Sequence, residues 1–123
     1  MKFSTSKQEL QKALQKVIKA TPTRSTLPIL SCVFVETSQT KTILRTTDLE
    51  LTIQVELPVS IEKEGKVCLP IKTLLDITNE LSETRITITE NDLNITIETD
   101  FGKYNIMGKP YEEFPTIPVI KNE

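Results

Sequence analysis

The sequence predicts an α+β fold in which two helices pack on one face of antiparallel β-sheets, arranged as an internal β-α-β-β-β repeat. Three observations predict it. Two stretches carry apolar residues at helical spacing, each is followed by short β-branched runs separated by polar turns, and a strand-like segment precedes each helix. With 123 residues and 37% apolar content the chain can bury one core and has no room for a second.

The polar, strand-like opening ends at Ser6, which with Glu9 has the spacing of a capping box. Leu10, Ala13, Leu14, Val17 and Ile18 then fall in one stripe at about 100° per residue. This first helix is expected to run to about Ala20, where Thr21 and Pro22 stop it. Gln8, Gln11, Lys12, Gln15, Lys16 and Lys19 lie on its other side. Strands are expected at Leu27 to Leu30, Cys32 to Glu36, Thr42 to Thr46, Leu51 to Leu57, Val59 to Ile61 and Lys66 to Leu69. Pro70 suits the first position of a second helix whose inward side is Ile71, Leu74, Leu75, Thr78 and Leu81. Arg85 to Thr89, Leu93 to Glu98 and Lys103 to Met107 supply three further strands. The tail beyond Met107, with Pro110, Pro115 and Pro118, reads as an extended connector.

Charge is distributed unevenly. The net charge is −2, yet residues 1–24 hold six basic groups against one acid, leaving nine against sixteen elsewhere. One basic face on an acidic body is the implication. Histidine is absent, so Ser-His, Cys-His and His-metal chemistry is excluded. The glycines, Gly65, Gly102 and Gly108, are too scattered to form a phosphate loop or a dinucleotide fingerprint. Asp48 with Glu50, and Glu90 with Asp92, are read as turn residues rather than metal ligands. Cys32 and Cys68 lie in apolar strand-like runs and are expected to be reduced core residues. No apolar run approaches the length of a membrane span, and a soluble cytoplasmic protein without cofactor or metal is expected.

Three segments carry a resemblance. Met1, Lys2, Phe3 and the first helix run into Arg24, Ser25, Thr26, Leu27, Pro28, Ile29 and Leu30; Thr47, Asp48, Leu49 and Glu50 follow. Tyr104, Ile106, Gly108, Pro110, Glu112, Glu113, Phe114 and Pro115 complete the pattern. In this order and spacing they resemble the β subunit of bacterial DNA polymerase III, the sliding clamp. Ser25 replaces the usual proline, Thr73 and Asn79 stand where basic residues are common, as does Phe101, and Lys109 replaces an apolar residue.

The resemblance implies the DNA-clamp fold, with residues 1–118 as the first domain of a longer clamp and 119–123 as the start of an interdomain linker. It implies a non-catalytic processivity factor: a head-to-tail homodimeric ring encloses duplex DNA without regard to sequence and tethers the polymerase. DNA polymerase III and the clamp loader would bind through domains not in this chain. Arg24, Lys12, Lys16, Lys19, Gln15 and Lys72 are the expected DNA-binding residues. Lys103, Tyr104 and Ile106 are the expected ring-interface residues, on an edge strand open to strand addition. A protein-interaction module that uses this edge and never touches DNA is the alternative.

Overall fold

The computed structural model describes residues 1–24 and 27–116. The expected linker at 119–123, and Ser25 and Thr26 of the first segment, lie outside the described residues. Strand β1 (Lys2–Ser6) leads into helix α1 (Lys7–Val17), and a 3-10 turn (Ile18–Ala20) extends it to the expected end. Ser6 Oγ accepts a hydrogen bond from the Glu9 N–H at 3.1 Å, the N-cap half of the expected box. Strands β2 (Cys32–Thr37), β3 (Thr42–Thr47), β4 (Thr52–Leu57), β5 (Ser60–Lys63) and β6 (Gly65–Pro70) precede helix α2 (Ile71–Glu80). Then come β7 (Arg85–Asn91), β8 (Asn94–Thr99) and β9 (Gly102–Met107).

The strands form two antiparallel sheets, ordered β5-β1-β7-β8-β9 and β4-β3-β2-β6. This order shows how the repeat closes. The strand opening each half, β1 or β6, pairs into the sheet built from the three strands of the other half. Neither half is therefore complete without its partner, and β5 is an addition to the β-α-β-β-β unit. Phe3, Ile86, Ile88, Ile95 and Ile97 from one sheet and Val33, Val35, Leu44, Val67 and Leu69 from the other form one buried cluster. The inward stripes of both helices, Leu10, Ala13, Leu14 and Val17 with Ile71, Leu74 and Leu81, belong to it. At roughly 25 cal/mol per Å² of apolar surface removed from water, these stripes anchor the helices far more strongly than helix propensity does. The Thr46 hydroxyl, wholly buried on β3, donates to the Val17 carbonyl and ties the end of α1 to the four-stranded sheet.

Three expectations are corrected. Leu27 to Leu30 is no strand: Pro28–Ser31 forms a 3-10 turn in which the Leu30 N–H bonds the Leu27 carbonyl at 3.1 Å. Pro28 fixes its own φ and lacks a ladder donor, which favours the turn. Pro70 does not open α2 but ends β6 opposite Cys32, one residue before the helix. The tail is not a free connector either. Lys109 exchanges two backbone hydrogen bonds with Cys68 (2.8 and 3.1 Å), and after a 3-10 turn at Tyr111–Glu113, Phe114 is buried on the outer side of the four-stranded sheet. There it packs with Phe34, Ile29, Leu30, Ile43, Cys32 and Cys68. The chain after β9 thus straps one sheet to the other.

Cys32 and Cys68 are buried free thiols within this outer cluster. Burial raises both above the usual thiol range, Cys68 to about 12, so neither is a nucleophile near neutral pH.

Candidate nucleic-acid interface

The two helices lie side by side on the same side of both sheets, and one polar bond joins them: Gln11 Nε2 donates to Asn79 Oδ1 at 2.8 Å. Thr21 and Pro22, just past α1, line a shallow cleft with Lys72 and Thr73 at the start of α2. Gln11 lies early in α1 and Asn79 late in α2, so the helices run antiparallel.

Lys12, Gln15, Lys16 and Lys19 are all exposed along this layer, and Arg24 is exposed in the loop that follows. The amphipathic stripe decides this: once the apolar positions face the sheets, every remaining position must face outward. Among the described residues the ion pairs are Met1 with Glu90, Lys2 with Glu62, Lys41 with Glu56 and Lys66 with Glu36. None involves the helix layer, so its four cationic groups after Glu9 have no ion-pair partner among the described residues. Lys72 is exposed in the first turn of α2 and joins them across the cleft. Gln11, on the polar side of α1, spends one amide N–H on Asn79. That contact depends on the approach of two helices distant in sequence and carries no local signal.

The acidic turns are structural. Asp48 Oδ1 accepts from the N–H groups of Glu50 (2.9 Å) and Leu51 (2.7 Å), and these bonds hold its carboxyl below the ordinary carboxylate range. Thr47 Oγ1 accepts from the Leu49 N–H, holding Leu49 at φ 79. Among the described residues no group of three or more potential metal ligands occurs, and no helix is long and apolar enough to cross a membrane.

Strand β9 is an edge, as expected for Lys103, Tyr104 and Ile106. Ladder pairing alternates, and the Gly108 N–H bonds the Leu93 carbonyl at 2.8 Å. The pairs Ile95/Ile106 and Ile97/Tyr104 therefore exchange the hydrogen bonds, which turns the N–H and C=O groups of Lys103, Asn105 and Met107 away from β8. Ile106 is half-buried against the core, while Tyr104 is 37% exposed. Lys103 stands opposite Glu98 but forms no ion pair with it. Sequence reasoning missed the neighbouring apolar exposure, Phe101 at 65% and Met107 at 62%. Strand alternation puts Met107 on the same face as Lys103 and Asn105, opposite Tyr104 and Ile106.

The fold recurs among known proteins. The beta sliding clamp of Synechococcus elongatus is 30% identical over the whole chain, which matches 34% of that protein. That of Haemophilus influenzae is 29% identical, again over all of this chain and 34% of the relative. Among solved structures, a protein assigned to the DNA polymerase III beta subunits from Eubacterium rectale superposes with a TM-score of 0.95 at 34% identity, over 100% of this chain and 34% of that one. The Caulobacter crescentus pol III beta structure gives 0.90 at 26% identity, over 96% and 32%. The chain spans about a third of the length of these relatives. The family model for the N-terminal domain of the DNA polymerase III beta subunit matches residues 1–118, and the chain belongs to that family.

Proposed function

We propose that this chain is one sector of a ring that encloses duplex DNA and tethers a replicative polymerase to it, without catalysing a reaction. The observation that carries the reading is the helix layer: Lys12, Lys16, Lys19 and Arg24, exposed and without ion-pair partners among the described residues, on the side away from both sheets. Lysine, arginine and glutamine on a smooth helical surface bind phosphates and read no bases, which suits sliding. Lys72 and Gln15 extend the same surface. A closed ring stays on DNA by topology, so each contact can be weak.

Closure is assigned to β9, whose outward N–H and C=O groups suit strand addition by a second copy, with Tyr104, Ile106 and Lys103 at the seam. Contacts with DNA polymerase III and the clamp loader belong to the remainder of a longer chain.

The test is fluorescence anisotropy of this chain with a labelled duplex of arbitrary sequence. Four phosphate contacts would give a slope of log K against log salt of about −3.6, so affinity should fall on the order of a hundredfold between 50 and 200 mM salt. Lys12→Glu, Lys16→Glu, Lys19→Glu and Arg24→Glu together should abolish binding with circular dichroism unchanged. Undiminished binding by the folded variant, or preference for one sequence, would sink the proposal. An edge-strand interaction module would show no binding in either form.

A further inference from the structure

The outward side of the helix layer is not uniformly basic. At 100° per residue, the buried positions of α2, Ile71, Leu74 and Thr78, define its inward direction. Asp76 and Glu80 then point almost directly outward, while Lys72 and Asn79 share the flank that faces α1, which the Gln11–Asn79 bond fixes independently. Because the helices run antiparallel, Lys19, Arg24 and Lys72 gather at one end of the layer. Gln8, Gln11, Asn79, Asp76 and Glu80 occupy the middle and the other end, with Lys12 on α1 the exposed cation beside Gln11. Neither Asp76 nor Glu80 forms an ion pair among the described residues; Lys72, one turn before Asp76, offsets only part of this charge.

We infer that Asp76 and Glu80 limit the DNA contact: their outward carboxylates hold phosphates off the later half of α2 and confine the duplex to α1 and the end marked by Arg24 and Lys72. The inference rests on the proposed function and adds a polarity to it. Two carboxylates at roughly 8 Å from a phosphate track, in water with a Debye length of about 10 Å at 0.1 M salt, weaken binding about two- to threefold in total. The effect is small in a single sector, but every sector of identical sequence in a ring would carry it. The result is a loose grip on the backbone, carried by α1 and only one end of α2.

The experiment compares Asp76→Asn/Glu80→Gln with the parent chain in the same anisotropy titration. Both substitutions are near-isosteric at exposed positions, and circular dichroism checks the fold. The neutralised chain should bind about two- to threefold tighter near 50 mM salt, with the gain shrinking to roughly 1.5-fold by about 300 mM as screening weakens it. Asp76→Lys alone should tighten binding further than Asp76→Asn, which gives a second reading should the double variant misfold. Unchanged or weaker binding in these variants, while the four-residue reversal on α1 and Arg24 still abolishes it, overturns the inference and leaves the proposed function standing. If the reversal has no effect either, the proposed function fails and this polarity fails with it.

Discussion

Replacing Phe114 by Ala separates a strap from an idle connector. Phe114 is 7% exposed, and its ring centroid lies 5.4 Å from that of Phe34 at an interplanar angle of 30°. Truncating a buried Phe to Ala costs about 3–5 kcal/mol in protein interiors, of which an aromatic pair of this geometry supplies about 0.5–1.5 kcal/mol. This cluster is a thin satellite on the outside of a sheet, where the strap can settle into the space, so the lower end applies, about 3 kcal/mol. For a domain of this size each kcal/mol moves the midpoint by about 3–5 °C, so Tm should drop by about 10 °C. Urea denaturation followed by circular dichroism measures the same loss at constant temperature. The cluster lies on the opposite side of the four-stranded sheet from α1 and α2, so duplex affinity at a temperature where the variant is folded should not change. A Tm loss under about 3 °C would show that the tail holds nothing, and a parallel loss of DNA affinity would show that the two faces are coupled.

Two further outcomes follow from packing and titration. Gly108 passes so close to β6 that a Cβ there would meet Val67 Cγ2 at 2.8 Å and the Cys68 carbonyl at 3.1 Å. Gly108→Ala should therefore cost about 1–3 kcal/mol in the urea midpoint, and a loss below about 0.5 kcal/mol would mean that Val67 rotates out of the way. The Cys68 thiol, pushed up to about 12 by burial, has an unfolded value near 8.5. A raised folded value means that its stabilising contribution is intact below about 8.5 and is lost as pH climbs toward about 12. The parent chain should lose more stability between pH 8 and 10.5 than Cys68→Ala does, by urea titration at each pH, and equal losses would refute the assignment.

The elements that sequence reveals here are those whose signal is local. The stripe from Leu10 to Ile18 with Ser6 before it locates α1, and alternation locates β7 and β8, because one buried face imposes its period on the residues. Pro28 and the tail are misread for a shared reason. Leu27 to Leu30 is as apolar as a strand, and the Pro-rich tail as polar as a linker, but the fate of each is decided by a remote partner. Pro28 to Ser31 closes a turn whose Ile29 and Leu30 cap the outer cluster, and Lys109 finds a free backbone edge at Cys68. The exchange of β1 and β6 between sheets is equally invisible, since no spacing along the chain encodes which strand lies beside which. Of the candidate site, the outward lysines are legible because amphipathicity leaves them no other direction. The Gln11–Asn79 bond is not, since it needs the antiparallel approach of two helices that brings together residues 68 apart in sequence.

This division has a physical consequence for how the site can vary. The core cluster draws its residues from the inward stripes and the sheets, whereas Lys12, Lys16, Lys19 and Arg24 form no ion pair among the described residues. Like charges one turn apart on an exposed helix repel by only about 0.2–0.5 kcal/mol per pair. The cationic face therefore costs the fold little, and the fold constrains its charge little. Thr73, Asp76 and Glu80 on α2 are likewise exposed and Asn79 bonds only the Gln11 side chain, so the non-basic residues at 73 and 79 need no compensating change in the core. If that decoupling is real, charge changes on either helix should move duplex affinity and its salt slope while leaving the urea midpoint within about 0.5 kcal/mol. A larger shift in stability from any outward substitution other than Gln11 or Asn79 would show that the face and the core are not independent.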